Sequence, residues 1–150
     1  MPDTYTFTGV DHITVTVSDM ERSLRFYRDL LGFKVTIDAI APHDRDMMNL
    51  SHRTPRESHR MVTFDTGGGP TVSLTEYKDP KGKGLLLDDL GITHYAIGVS
   101  DLEALTKRLV AQGIQNPRPG FFLDPDGILV QFMEPGHAAK AREGYQPNSS

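Results

Sequence analysis

His12 and His94 occupy matching places in the chain. "GVDHITVTVSD" (9–19) and "GITHYAIGVSD" (91–101) superpose at a constant offset of 82, with glycine, histidine, valine, serine and aspartate identical. Polar and apolar residues alternate through both stretches. Each histidine therefore lies on the polar face of a strand whose other face is apolar: Ile13, Val15 and Val17 in one, Tyr95, Ile97 and Val99 in the other. A neutral imidazole offers one nitrogen lone pair, which suits zinc, iron, nickel, copper or manganese. Two histidines satisfied by hydrogen bonds in a polar pocket would give the same pattern, and both readings stand at this point. A third stretch, "DPDGILVQFMEP" (124–135), reads as a tight turn feeding a strand that carries Gln131 and Glu134. Three residues apart, these two point to opposite faces.

The elements that must position these residues repeat as well. "MERSLRFYRDLLGF" and "LEALTKRLVAQGI" follow the two histidine strands and align with a one-residue gap, and "TVSLTE" (71–76) matches "LVQFME" (129–134). Two copies of one supersecondary unit explain three matched blocks in the same order. Ser18 with Glu21, and Ser100 with Glu103, read as capping boxes that open a helix in each copy. Leu24, Tyr27, Leu30 and Leu31 form the apolar stripe of the first helix, and Leu102, Leu105 and Leu109 that of the second, with Gly32 and Gly113 as stops. In the first copy "FKVTIDAI" (33–40) reads as a strand, a polar loop runs to about residue 58, and "RMVTFDT" and "TVSLTEY" form a hairpin around "GGGP". In the second copy the hairpin is "FFLDPDGILVQFME", and "QNPRPG" leaves room only for a stub of the preceding strand. The unit is β-α-β-β-β, used twice. Module one spans 9–77, a linker 78–90 and module two 91–135, one domain over 9–135 with a tail of low order at 136–150.

Bulk properties exclude several classes. A chain of 150 residues suits one domain and buries roughly two-thirds of its unfolded surface. It contains no cysteine, which removes disulfides, thiolate metal sites and cysteine nucleophiles and suits a cytoplasmic location. The opening "MPDTYTFTGV" lacks a basic region followed by an apolar run, so no secretory signal is expected, and no stretch approaches the ~20 apolar residues of a membrane span. The net charge of −4 argues against nucleic acid as partner.

In combination, "DHITVTVSDMERSLRFYRDLLGFKV", "THYAIGVSDLEAL" and "FFLDPDGILVQFMEP" resemble the vicinal-oxygen-chelate superfamily, which includes glyoxalase I, extradiol dioxygenases, fosfomycin-resistance enzymes and bleomycin-binding proteins. The resemblance covers about residues 9 to 135. It implies an α+β fold in which paired β-α-β-β-β modules form a curled mixed sheet around a cup, with helices on the outer face. It also implies a small-molecule ligand and a homodimer. In metal-binding members the ligands come from the first and last strands of the modules. Carried over residue by residue, His12 and His94 fall at the two histidine positions, Ser73 at the third and Gln131 at the fourth, where glutamate is usual. Glu134 and Glu76 are reserves, because their strand parity aims them away from the cup.

A divalent ion (zinc, iron, nickel or manganese) held by His12, His94 and Gln131 would keep its full charge and would chelate neighbouring substrate oxygens. Neither last-strand position offers a carboxylate base, a departure from glyoxalase I. The alternative is a metal-free binding or sequestering protein of the bleomycin-resistance type. Thr14, Ser73 and Phe121 are expected to line the cup, and Arg53 and Arg56, in a basic loop that also holds Met47 and Met48, to meet anionic groups of the ligand.

Overall fold

The computed structural model describes residues 4–42, 50–51, 58–136, 140 and 142–148. The chain divides into two compact units, 1–82 and 83–150. The first contains β1 (His12–Val17), α1 (Met20–Leu24) running on as a π-helical segment (Arg25–Leu30), β2 (Lys34–Pro42), β3 (Ser58–Asp65) and β4 (Thr71–Glu76). The second contains β5 (His94–Gly98), α2 (Leu102–Ala111), β6 (Phe121–Leu123) and β7 (Leu129–Met133).

Each unit carries one mixed sheet. The first has the order β1-β4-β3-β2 and the second β5-β7-β6. In both, the strand before the helix pairs in parallel with the last strand of the unit, and the remaining pairs are antiparallel. The parallel pairing follows from the helical crossover, because a hairpin cannot join parallel neighbours. The second copy lacks the equivalent of β2: only an isolated antiparallel bridge, Arg118 to Phe121, remains where "QNPRPG" stands. Two prolines in six residues remove ladder donors and hold the segment out of a strand. The fold is α+β with two mixed sheets.

The alternation in β1 sorts its side chains. Val15 and Val17 are buried, and with Val62, Phe64, Val72 and Leu74 they make the apolar face of the first sheet. Met20, Leu24, Phe26 and Tyr27 of the helix are buried in the same unit, with the Tyr27 and Phe64 rings stacked 6.1 Å apart. The sequence stripe of Leu24, Tyr27, Leu30 and Leu31 assumed 3.6 residues per turn. From Arg25 onward the helix widens to π geometry, with Leu31 N–H donating to the Phe26 carbonyl five residues back. Phe26 turns inward beside Tyr27, and Leu30 and Leu31 are left only half-buried.

The helix starts differ from the expected capping boxes. The N-caps are Asp19 and Asp101, one residue after the serines, and their carboxylates accept from Arg22 N–H and Ala104 N–H. Glu21 instead meets Arg60 of β3 at 2.6 Å, and Arg60 also grips Asp38 of β2 with two hydrogen bonds of 3.0 and 2.8 Å. The second acidic partner of each helix start comes from the last strand. Glu76 accepts from Met20 N–H and Glu134 from Leu102 N–H at 3.0 Å. Each helix thus begins between two carboxylates, which suits the positive end of its dipole.

Candidate functional site

His12 opens β1, with its side chain about half exposed. Its Nδ1 lies 2.7 Å from Asp11 Oδ1. An ionised carboxylate only accepts, so Nδ1–H donates and the ring's lone pair is on Nε2. His94 opens β5 in the same way, with Nδ1 3.0 Å from Thr93 Oγ1. When Nδ1–H donates to that hydroxyl, Nε2 again carries the lone pair. In both copies the residue immediately before the histidine fixes the ring. This orienting pair was not among the expected site residues, although "DH" and "TH" were its sequence signal.

The face that β1 shares with His12 is lined with hydroxyls. Thr14 is exposed and pairs in register with Ser73 of β4, and Thr16 with Thr75. Ser73 is buried, and its Oγ lies 2.8 Å from Thr63 Oγ1 of β3. That bond occupies Ser73 in the position where the resemblance places a third ligand. Thr63, Thr16 and Thr75 extend the polar face beyond the residues singled out in the sequence.

The second unit gathers the expected residues more tightly. Register sets Ala96 beside Gln131 and Gln131 beside Phe121, while His94 sits beside Leu129. His94 and Gln131 are therefore diagonal neighbours on one face of the second sheet. The Phe121 ring reaches back over this face to stand 5.4 Å from the His94 ring. Phe121 and Leu129 are buried, whereas His94 and Gln131 are half-buried, so an imidazole and a carboxamide emerge from an apolar floor. Both can offer a neutral donor atom to a cation or a hydrogen bond to a ligand. The face carries no carboxylate among its paired residues: the strands add Ala96, Gly98, Leu123 and Met133, and the isolated bridge adds Arg118.

Glu76 and Glu134 are on the opposite parity, and their carboxylates are bonded to helix N–H groups. Arg53, Arg56, Met47 and Met48 lie outside the described residues. No group of three His, Asp or Glu side chains with metal-holding geometry occurs among the described residues. A groove of about 460 Å³ in the first unit is lined by Ser18, His59, Arg60, Glu76 and Tyr77. It sits past the Val17 end of β1, the opposite end from His12, so it is separate from the histidine face.

Comparison with known proteins fits this frame. The chain is 26% identical over 136 residues to the uncharacterized Bacillus subtilis (strain 168) protein YwkD, covering 84% of this chain and 96% of that one. It is 25% identical over 134 residues to a lactoylglutathione lyase of Haemophilus influenzae, covering 82% and 90%. Its fold is similar to a crystal structure of a glyoxalase family protein from Bacillus cereus, with a TM-score of 0.74 at 13% identity over 89% of this chain and 98% of that one. The model of the Glyoxalase/Bleomycin resistance protein/Dioxygenase superfamily matches residues 9–132. The repeated histidine strands and the capped helices that follow them are thus those of a glyoxalase-superfamily fold, and the chain belongs to that superfamily.

Proposed function

We propose that the chain is a metal-dependent enzyme acting on a small molecule with neighbouring oxygens, and that His12, His94 and Gln131 hold the ion. The observation that carries this reading is the matched orientation of the two histidines. Each has Nδ1 within hydrogen-bond distance of the preceding residue's side chain, and where Nδ1–H is the donor the lone pair left for an ion is on Nε2. Gln131 joins His94 on the same face, with a carboxamide oxygen as its donor. A bound divalent ion would act as a Lewis acid toward paired substrate oxygens. Phe121 and Leu129 exclude water from the floor of the site, and the hydroxyls of Thr14 and Ser73 line the matching face of the first unit. His12 comes from a first unit and His94 with Gln131 from a second, of one chain or of two chains in a homodimer. Zinc, iron, nickel and manganese all accept such donors. A cytoplasmic setting belongs to the same reading.

The lack of a carboxylate beside Gln131 supports a second reading, a metal-free protein that binds or sequesters a small ligand on the same face. The two readings separate on one measurement. Protein purified without chelators is analysed for metal, then stripped and titrated by calorimetry. The enzyme reading expects about one divalent ion per site, lost in His94→Ala. Absence of saturable binding of all four metals in the wild type would leave the sequestering reading in its place.

A further inference from the structure

One charged side chain on the second sheet takes no part in the ligand set. Across this sheet the register runs Ala96, Gln131, Phe121 and then, through the isolated bridge, Arg118. Directly paired residues point to the same side, so Arg118 lies on the face that carries Gln131 and His94. Its guanidinium carbon sits over the Phe121 ring, 5.7 Å from the centroid. The same ring faces His94. Arg118 is exposed, and among the described residues its guanidinium has no acidic partner.

The backbone at this point is fixed. Arg118-Pro119-Gly120-Phe121 closes a tight turn, with Phe121 N–H donating to the Arg118 carbonyl at 2.9 Å. Asn116 Nδ2 donates to the same carbonyl and to that of Phe121, each at 2.7 Å. Gly120 has φ +83, the turn position that favours glycine, and a Cβ there would stand 3.0 Å from the Phe132 carbonyl oxygen. The turn therefore presents Arg118 from a rigid mount, two strands from Gln131. Strands are spaced about 4.8 Å apart, so the arginine and the carboxamide lie within the span of a small metabolite.

We propose that Arg118 is a specificity-determining residue that binds a carboxylate or phosphate group of the ligand while another part of that ligand lies against Gln131 and His94. This rests on the reading of that face as the ligand site, with or without a metal. A guanidinium presents a planar pair of donors that matches an oxyanion, and the Phe121 ring holds that plane in place. Arg118 does no chemistry in this role. It selects ligands that carry an oxyanion and sets which end meets the donor atoms.

Inorganic phosphate is the probe. It is titrated at low ionic strength into metal-free protein while the Arg Nε–H and Gln side-chain amide signals are followed by NMR. Arg25, exposed on the first helix, is the internal reference for an ordinary surface arginine. The expected result is a saturable shift at Arg118, at least tenfold tighter than at Arg25, with the Gln131 amide moving at the same concentrations. Arg118→Gln should abolish the response at Gln131, and Arg118→Lys should restore part of it, since lysine keeps the charge and loses the fork. A response at Arg118 no tighter than at Arg25, or an unchanged Gln131 response in Arg118→Gln, overturns the proposal. Because the protein is free of metal, failure of the metal reading leaves this result untouched.

Discussion

In the proposed metal site, Gln131 is the residue on which the chemistry would turn. It stands where the family resemblance places a carboxylate, on a face whose paired strand residues include no acid. Gln131→Glu keeps the shape and adds one anionic oxygen beside His94. Charge-assisted contacts are roughly twice as strong as neutral ones, so a divalent ion should bind at least about tenfold tighter, about 1.4 kcal/mol. In a metal-free pocket the new carboxylate would instead meet the buried Leu129 and Phe121 and lose hydration, which favours its neutral form. Calorimetric metal titration of both proteins distinguishes the cases. Equal affinities would sink the assignment of Gln131 to the ion. Ser73→Ala makes a contrasting prediction. It leaves the buried Thr63 hydroxyl without its partner and should cost stability, about 1–2 kcal/mol by denaturant melt, with metal affinity unchanged.

At the scale of elements, the double acidic capping of each helix is the device that ties a last strand to the helix of its own unit. Truncating Glu76 to alanine strips the Met20 amide of its acceptor and the helix end of a charge, at a cost of about 1 kcal/mol. For a chain of this length that lowers the melting temperature by about 3 °C. Glu134→Ala should act in the same direction and less strongly, since Glu134 is exposed and Glu76 half-buried. Calorimetric melting of the two variants checks both sign and order. A melting temperature unchanged by Glu76→Ala would show that Asp19 alone satisfies the helix start. The Arg60 network joins three elements of the same unit. The hydrogen bond from Arg60 holds the Asp38 carboxyl below its usual range. A group depressed in the folded state stabilises above its unfolded pKa and loses that contribution as pH falls through its folded value. Asp38→Asn should therefore reduce stability at neutral pH, by less than about 1 kcal/mol because both side chains are partly solvated, and the difference from wild type should vanish in acid.

The element scale is also where the sequence was most legible. Strand alternation around both histidines, the glycine stops and the two hairpins are local patterns, and the structure has them where the periodicity placed them. Asp124 even accepts from Asp126 N–H and Ile128 N–H to close the turn read from "DPDG". The π segment was hidden because periodicity assumes one helical pitch. The caps slipped by one residue because serine and aspartate both serve as N-caps, and the deciding acceptors, Glu76 and Glu134, lie some thirty or more residues away in sequence. The histidines were legible through the repeat. Their contacts with Asp11 and Thr93 were signalled only by the adjacent pairs "DH" and "TH", and adjacency in sequence does not say where two side chains meet.

At the scale of the molecule, the stretch leading into each histidine strand exposes apolar surface. Tyr5, Phe7 and Val10 do so before β1, and Leu86, Leu87, Leu90 and Ile92 before β5, with Leu90 fully exposed and Phe7 at 92%. The repeat offset of 82 maps Tyr5 onto Leu87 and Val10 onto Ile92, so the exposure recurs at equivalent positions. Scattered apolar residues on a surface need no explanation, but clusters that recur at equivalent positions in a duplicated unit suggest a contact surface. The proposed homodimer would place such segments against a second copy, where burying a leucine side chain contributes about 2 kcal/mol. Wild-type protein should sediment at twice the chain mass at micromolar concentration, and Leu90→Asp with Ile92→Asp should shift it toward the single chain while its circular dichroism stays that of the folded protein. Metal affinity then reports how the units combine. If His12 and His94 of different chains share one ion, affinity falls in the monomeric variant in step with dissociation. If one chain supplies both, affinity survives. A wild type that sediments as a single chain would remove the homodimer and leave any shared ion to one chain.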